Sequence, residues 1–325
     1  MVLADKGADI YSLVYKPIDV DFLWRSPWGV RDPRRFTPTT GDGVGVWMDV
    51  YEGGWQTVVP HAGYPSEVAG ADLGLHAELG TLPWDSKIVE DSSSRVSVKF
   101  WARGPRTPFF VEKTLSLEAG SPVLILEESV TNEAEEPASA AWLEHVALGP
   151  PFLADGCRLY VPPCRIINHP VPTASSSKLK PGGESPWPNA LGLDGGAIDF
   201  SRLPGKEDRS MDMAYLADMQ QGWYAVTNEQ LGVGFALSYP SEIFRFLWFW
   251  RSLGGGWGYP WYGRTYNVGL EPCTSFDNTG LANAIANGTA LRFEAGETVK
   301  AKITATAYTE RGAVLGIGDD GNPLF

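Results

Sequence analysis

Side-chain alternation with a period of two is the feature that most constrains this chain. Val299, Ala301, Ile303, Ala305 and Ala307 alternate with Lys300, Lys302, Thr304 and Thr306; Val96, Val98 and Phe100 alternate with Ser97 and Lys99. Successive strand side chains point to opposite faces, so this rhythm buries one face and wets the other. It marks antiparallel sheets, because parallel α/β strands read as near-continuous apolar runs. Residues 109–117, 123–131, 222–227, 232–239 and 244–251 are further candidate strands, separated by Gly, Pro, Asn and Asp clusters of the kind that turns require. The 37 Gly and 25 Pro would interrupt most long helices. One short helix is expected at 281–287, stopped by Gly288. Residues 172–188 read as an irregular loop, and no fixed-period repeat points to a propeller or solenoid. The expected fold class is therefore all-β: one large antiparallel β-sandwich forming a single domain over residues 1–325.

Charge and apolar runs narrow the function classes. With 26 Lys and Arg against 39 Asp and Glu, the net charge is −13, and no basic run reverses it locally. A nucleic-acid footprint is thereby excluded as an expectation. No stretch approaches ~20 apolar residues, and the most apolar one, 243–250, contains Arg245, so no membrane span is expected. The N-terminus shows neither a basic run nor an apolar core of the signal-peptide kind. Cys157, Cys164 and Cys273 are odd in number and match no metal-knuckle spacing. Reduced thiols and a cytoplasmic location follow as expectations.

Several standard catalytic machines are missing. The stretch Gly41-Asp42-Gly43-Val44-Gly45-Val46 begins like a dinucleotide loop but has Val46 where the third Gly belongs. No P-loop, G-x-S-x-G elbow or HExxH helix is present. What remains is a scarce set of imidazoles and carboxylates in aromatic, Gly/Pro-rich segments. These are Gly53-Gly54-Trp55 through His61-Ala62-Gly63, His76-Ala77-Glu78 through Pro83-Trp84, Glu144-His145 through Gly149-Pro150-Pro151, and Gly269-Leu270-Glu271-Pro272. Three of the four His in the chain fall in them.

In this order and spacing the segments resemble the aldose 1-epimerases (galactose mutarotases) and their relatives, over about Ala8 to Tyr308. The resemblance implies a β-supersandwich with a sugar cleft across one sheet. It also implies acid–base chemistry without a metal or organic cofactor: a carboxylate takes the proton of the anomeric hydroxyl, an imidazole protonates the ring oxygen, and the ring opens and recloses. Carried over by motif, Glu271 is the expected base and His145 the expected acid, with His76 assisting. The sequence departs from the family in having Ala77 after His76, Glu78-Leu79-Gly80 where an Arg is usual, and His61 in place of a common Asn. Asp212 and Asp218 are the nearest candidates for the family's further binding Asp.

The residues leave other readings open. Trp248 and Trp250, within an alternating aromatic run, fill a core or floor a sugar site, since their faces stack on pyranose C–H surfaces. Arg245, Arg251 and Arg264 either pair with carboxylates or hold an anionic substituent. His61, Glu78, Trp248, Trp250 and Arg264 are taken as candidate substrate-binding residues, and His169 as a surface-turn residue. The expected partner is a small sugar or sugar derivative, with the oligomeric state open. Two alternatives to an isomerase stand: a non-catalytic sugar-binding module, and a metal-assisted lyase or isomerase acting on an oxidised sugar through the His76-x-Glu78 pair.

Overall fold

A computed structural model describes residues 1–32, 37–309 and 311–325. Strands take 44% of the chain and helices 7%, in line with the all-β expectation. Two large antiparallel sheets pack face to face. The nine-stranded sheet runs Val2–Leu3, Asp9–Ile10, Trp55–Val58, Leu143–Leu148, Tyr266–Cys273, Phe246–Leu253, Ser210–Ala217, Arg165–Asn168, Glu184–Pro186 from edge to edge. The eight-stranded sheet runs Arg158–Tyr160, Trp223–Asn228, Val233–Ser238, Thr298–Tyr308, Val123–Asn132, Phe109–Glu118, Arg95–Arg103, Asp85–Asp91.

Alternation works as the sequence dictates. In Thr298–Tyr308, Ala301, Ile303 and Ala305 enter the core while Lys300 and Lys302 stay in water. The rhythm breaks at Val96, which is exposed while Ser97 is buried, because the Ser97 hydroxyl meets Ser116 Oγ at 2.9 Å. The expected helix is present as Leu281–Ala286, followed by Gly288 at φ +73°. Within the expected loop, Glu184–Pro186 adds an edge strand. A helix not foreseen, Gly43–Met48, forms where the sequence looked like a broken dinucleotide loop.

Strand parity decides what each central strand offers. Val146, Leu148, Leu247, Phe249, Val268 and Leu270 face the eight-stranded sheet and join Leu126, Val130, Leu237 and Ile303 in the main core. Each such side chain contributes roughly 1.5–3 kcal/mol on burial. The intervening residues 145, 147, 248, 250, 269 and 271 must then point to the other face. Leu143, Met213, Tyr215 and Trp248 form a second apolar cluster there, and Trp24, Trp47, Tyr51, Ala147 and Trp261 a third. The three cysteines are free, Cys157 and Cys273 buried and Cys164 half-buried. Among the described residues, no helix is long and apolar enough to cross a membrane.

Candidate active site

Register brings the two principal titratable groups side by side. Leu143 pairs with Cys273 and Ala147 with Gly269, so His145, midway along its strand, faces Glu271 midway along the next. On its other side Glu271 pairs with Trp248, and Trp250 with Gly269. His145 Nε2 stands 3.5 Å from Glu271 Oε1. His76 arrives from a loop, with its ring centroid 5.3 Å from that of His145 and the planes at 84°. These groups line a cavity of about 660 Å³, open mouth included, whose walls carry Trp47, Tyr51, Trp248, Trp250 and Trp261. An aromatic lining with a few convergent polar groups is the composition of a small-molecule site.

Local geometry fixes each group. The backbone of His76 sits at φ +48°, a left-handed conformation unusual outside glycine. Its Nδ1 accepts the Gly63 amide at 3.2 Å, which leaves the Nε2 proton for other contacts. Gly63, at φ +97°, is the residue type this approach needs, since a Cβ there would overlap the Asn278 carbonyl. Trp248 donates its indole N–H to the Ser275 carbonyl at 2.9 Å, holding the ring in place at the cavity wall.

Electrostatics push the pair apart in proton affinity. Glu271 is buried, its Oε1 has no hydrogen-bond donor, and burial raises its carboxyl well above the ordinary range. Burial pulls His145 down to about 3 and His76 well below its usual value, with His145 and His61 as secondary causes for His76. A carboxyl that tends to keep its proton thus faces a neutral imidazole.

Not every expected residue joins them. His61 Nε2 donates to the Tyr64 carbonyl at 2.8 Å and its Nδ1 accepts the Leu281 amide at 3.2 Å, so both ring nitrogens are engaged by backbone. Glu78 turns to the 104–107 loop: Oε1 accepts the Thr107 amide at 3.1 Å and hydroxyl at 2.6 Å, and Oε2 accepts the Arg106 amide at 3.0 Å. The His76–Glu78 pair expected from sequence is therefore not presented to one ligand, and no group of three or more metal-binding side chains forms among the described residues. Arg264 is exposed, its guanidinium 4.8 Å over the Trp28 ring, and does not line the cavity. Arg251 is buried against Asp212 at 2.8 Å, and Asp218 pairs with Arg165 at 2.9 Å. His169 is buried rather than in a surface turn, its Nδ1 2.7 Å from the Tyr215 hydroxyl.

Trp47 and Tyr51 were not legible as site residues, yet a signal existed. Asp42 caps the helix by accepting the Val44 and Gly45 amides, and Val44, Trp47, Met48 and Tyr51 follow at i, i+3, i+4, i+7 spacing. Asn278, also on the cavity wall, has a buried Oδ1 with no donor.

Comparison with known proteins agrees with this architecture. A provisionally named aldose 1-epimerase from Klebsiella pneumoniae superposes with a TM-score of 0.71 at 17% identity, over 94% of this chain and 75% of that one. A galactose mutarotase-like protein from Clostridium acetobutylicum gives 0.60 at 13%, over 95% and 92%. A galactose mutarotase related enzyme from Lactobacillus acidophilus gives 0.59 at 15%, over 96% and 95%. At these identities the likeness establishes the galactose mutarotase-like sandwich and nothing finer. No curated protein matches the chain. Residues 1–307 match the family described as "Domain of unknown function (DUF4432)", and the chain belongs to that family.

Proposed function

We propose that this protein is a carbohydrate-directed isomerase of the aldose 1-epimerase type, acting on a free sugar. The carrying observation is the 3.5 Å contact between His145 Nε2 and Glu271 Oε1 in an aromatic cavity. Mutarotation moves one proton off the anomeric hydroxyl and one onto the ring oxygen. Both oxygens are bonded to the same carbon, so the base and the acid must both reach one ring, and this pair lines one cavity.

The step balances without a further reactant. The reacting form is the minor one, in which His145 rather than Glu271 carries the proton: Glu271 as carboxylate takes the hydroxyl proton while imidazolium at His145 gives its own to the ring oxygen. The bond from C1 to the ring oxygen breaks and an aldehyde forms. Rotation about C1–C2 presents the other carbonyl face, and the reverse transfers close the ring as the other anomer. Each placed group is worth ~10²–10⁴-fold. His76, with its protonated nitrogen set by Gly63, supplies a donor to a sugar oxygen. Trp248 and Trp250 offer faces for the pyranose C–H surface. The names of the structural neighbours support the same chemistry.

Polarimetry or NMR on a panel of free sugars tests the reading: anomer exchange is faster with the protein than without it, and Glu271→Gln removes nearly all the acceleration. No acceleration on any sugar, with binding retained, would leave a non-catalytic binding module instead.

A further inference from the structure

We propose that Tyr51 is a positioning residue that sets the tautomer of His145; this rests on the acid–base reading of the site. Tyr51 is buried and its hydroxyl stands 3.5 Å from His145 Nδ1, the ring nitrogen turned away from Glu271. Among the described residues this nitrogen is the only acceptor that the phenol reaches. Burial, together with the nearby Glu271, Glu52 and Asp9, raises the phenol well above its ordinary value, so it remains an O–H donor at any working pH. A buried hydroxyl without an acceptor is costly, and directing its hydrogen to Nδ1 satisfies it. Nδ1 then accepts, and the resting neutral ring carries its proton on Nε2, the atom facing Glu271; when the ring is the imidazolium of the reacting pair, the same hydroxyl turns to accept from Nδ1–H.

The rest of the wall holds this contact. Trp47 stacks on Tyr51 with centroids 4.4 Å apart and planes at 24°, and its edge packs on His76 at 4.8 Å. Both aromatics come from the capped helix 43–48 and the turn after it, which Tyr259 ties down by donating to Asp49 at 2.9 Å. His145 is faced by Tyr51, His76, Glu271, Trp47 and Trp250, with Lys6 a more distant positive charge. Of these side chains, Tyr51 alone meets Nδ1, and the His145 backbone carbonyl is the competing acceptor that would favour the Nδ1–H form.

Two-dimensional ¹H–¹⁵N spectra of the imidazoles read the tautomer without reference to turnover. In the wild-type protein at neutral pH, His145 is expected to show Nε2 protonated and Nδ1 bare. Tyr51→Phe keeps the ring that stacks on Trp47 and removes only the hydroxyl; the His145 signals then shift toward the Nδ1–H form. A wild-type His145 protonated on Nδ1, or a tautomer indifferent to Tyr51→Phe, overturns the proposal even if the protein is a mutarotase. If the tautomer responds but no sugar is epimerised, the positioning stands and the mutarotase reading fails.

Discussion

The carboxylate of Glu271 lies folded over Gly269, so close that a Cβ on the glycine would overlap Oε1. The two residues are two apart on one strand, hence on one face, and the missing side chain of the first is the seat of the second. Gly269→Ala is expected to fold, because only the tip of a side chain must move. The displaced carboxylate should cost about a hundredfold in kcat/KM for anomer exchange. A folded variant with wild-type rates would show that the position of Glu271 does not matter to the reaction.

Glu271 should also destabilise the fold at neutral pH. Its native proton affinity is raised above that of the unfolded chain, so the native state holds a proton where the unfolded state has lost it. Its contribution is intact below the ordinary carboxylate value, near pH 4, and is lost as pH rises toward the raised native value. Glu271→Gln cannot ionise, so its melting temperature should exceed that of the wild type by a few degrees at pH 7, with the gap closing near pH 4. Thermal melts at the two pH values decide, and a gap that is constant or reversed contradicts the buried, unpaired carboxyl.

The pH profile of the reaction follows from the same pair. The active form holds one proton between His145 and Glu271. It fails at low pH only when both are protonated, which the depressed value of His145, about 3, delays. The raised Glu271 delays the opposite failure, loss of the last proton. The expected kcat/KM profile is a broad plateau from about pH 4–5 through neutrality, measured as initial anomer-exchange rates. A limb falling between pH 6 and 7, as an ordinary His near 6.5 would give, contradicts it.

Glu78 is expected to matter for stability rather than chemistry. Removing its carboxylate leaves the Arg106 and Thr107 amides without an acceptor. Glu78→Ala should lower the unfolding free energy by about 2 kcal/mol in urea titrations. Its kcat should stay within a few-fold of wild type, and dialysis against a chelator should change neither protein. Loss of activity on chelation would revive the metal reading.

How much of this was legible follows from which links are local. Antiparallel sheets and strand parity can be read in 298–308 because solvent repeats its demand at every second residue. His145 and Glu271 stand out in sequence as a scarce imidazole and a carboxylate in segments that resemble family motifs; that they face each other depends on register between strands more than a hundred residues apart. Glu78 stands two residues from His76, but that adjacency says nothing of the 104–107 loop whose amides claim its carboxylate. His61 likewise resembles a ligand until the Tyr64 carbonyl and the Leu281 amide meet its ring. Tyr51 and Trp47 were hidden by the glycines at 41, 43 and 45, which mask a capped helix with an apolar stripe.

The central claim is that His145 and Glu271 open and reclose a sugar ring together, and the most direct measurement is anomer exchange by NMR magnetisation transfer on the wild-type, His145→Gln and Glu271→Gln proteins. The account predicts enzyme-dependent exchange on at least one free sugar, reduced ~10²-fold or more in either variant, and no further in the double variant than in the worse single one. Exchange that survives both substitutions would contradict it.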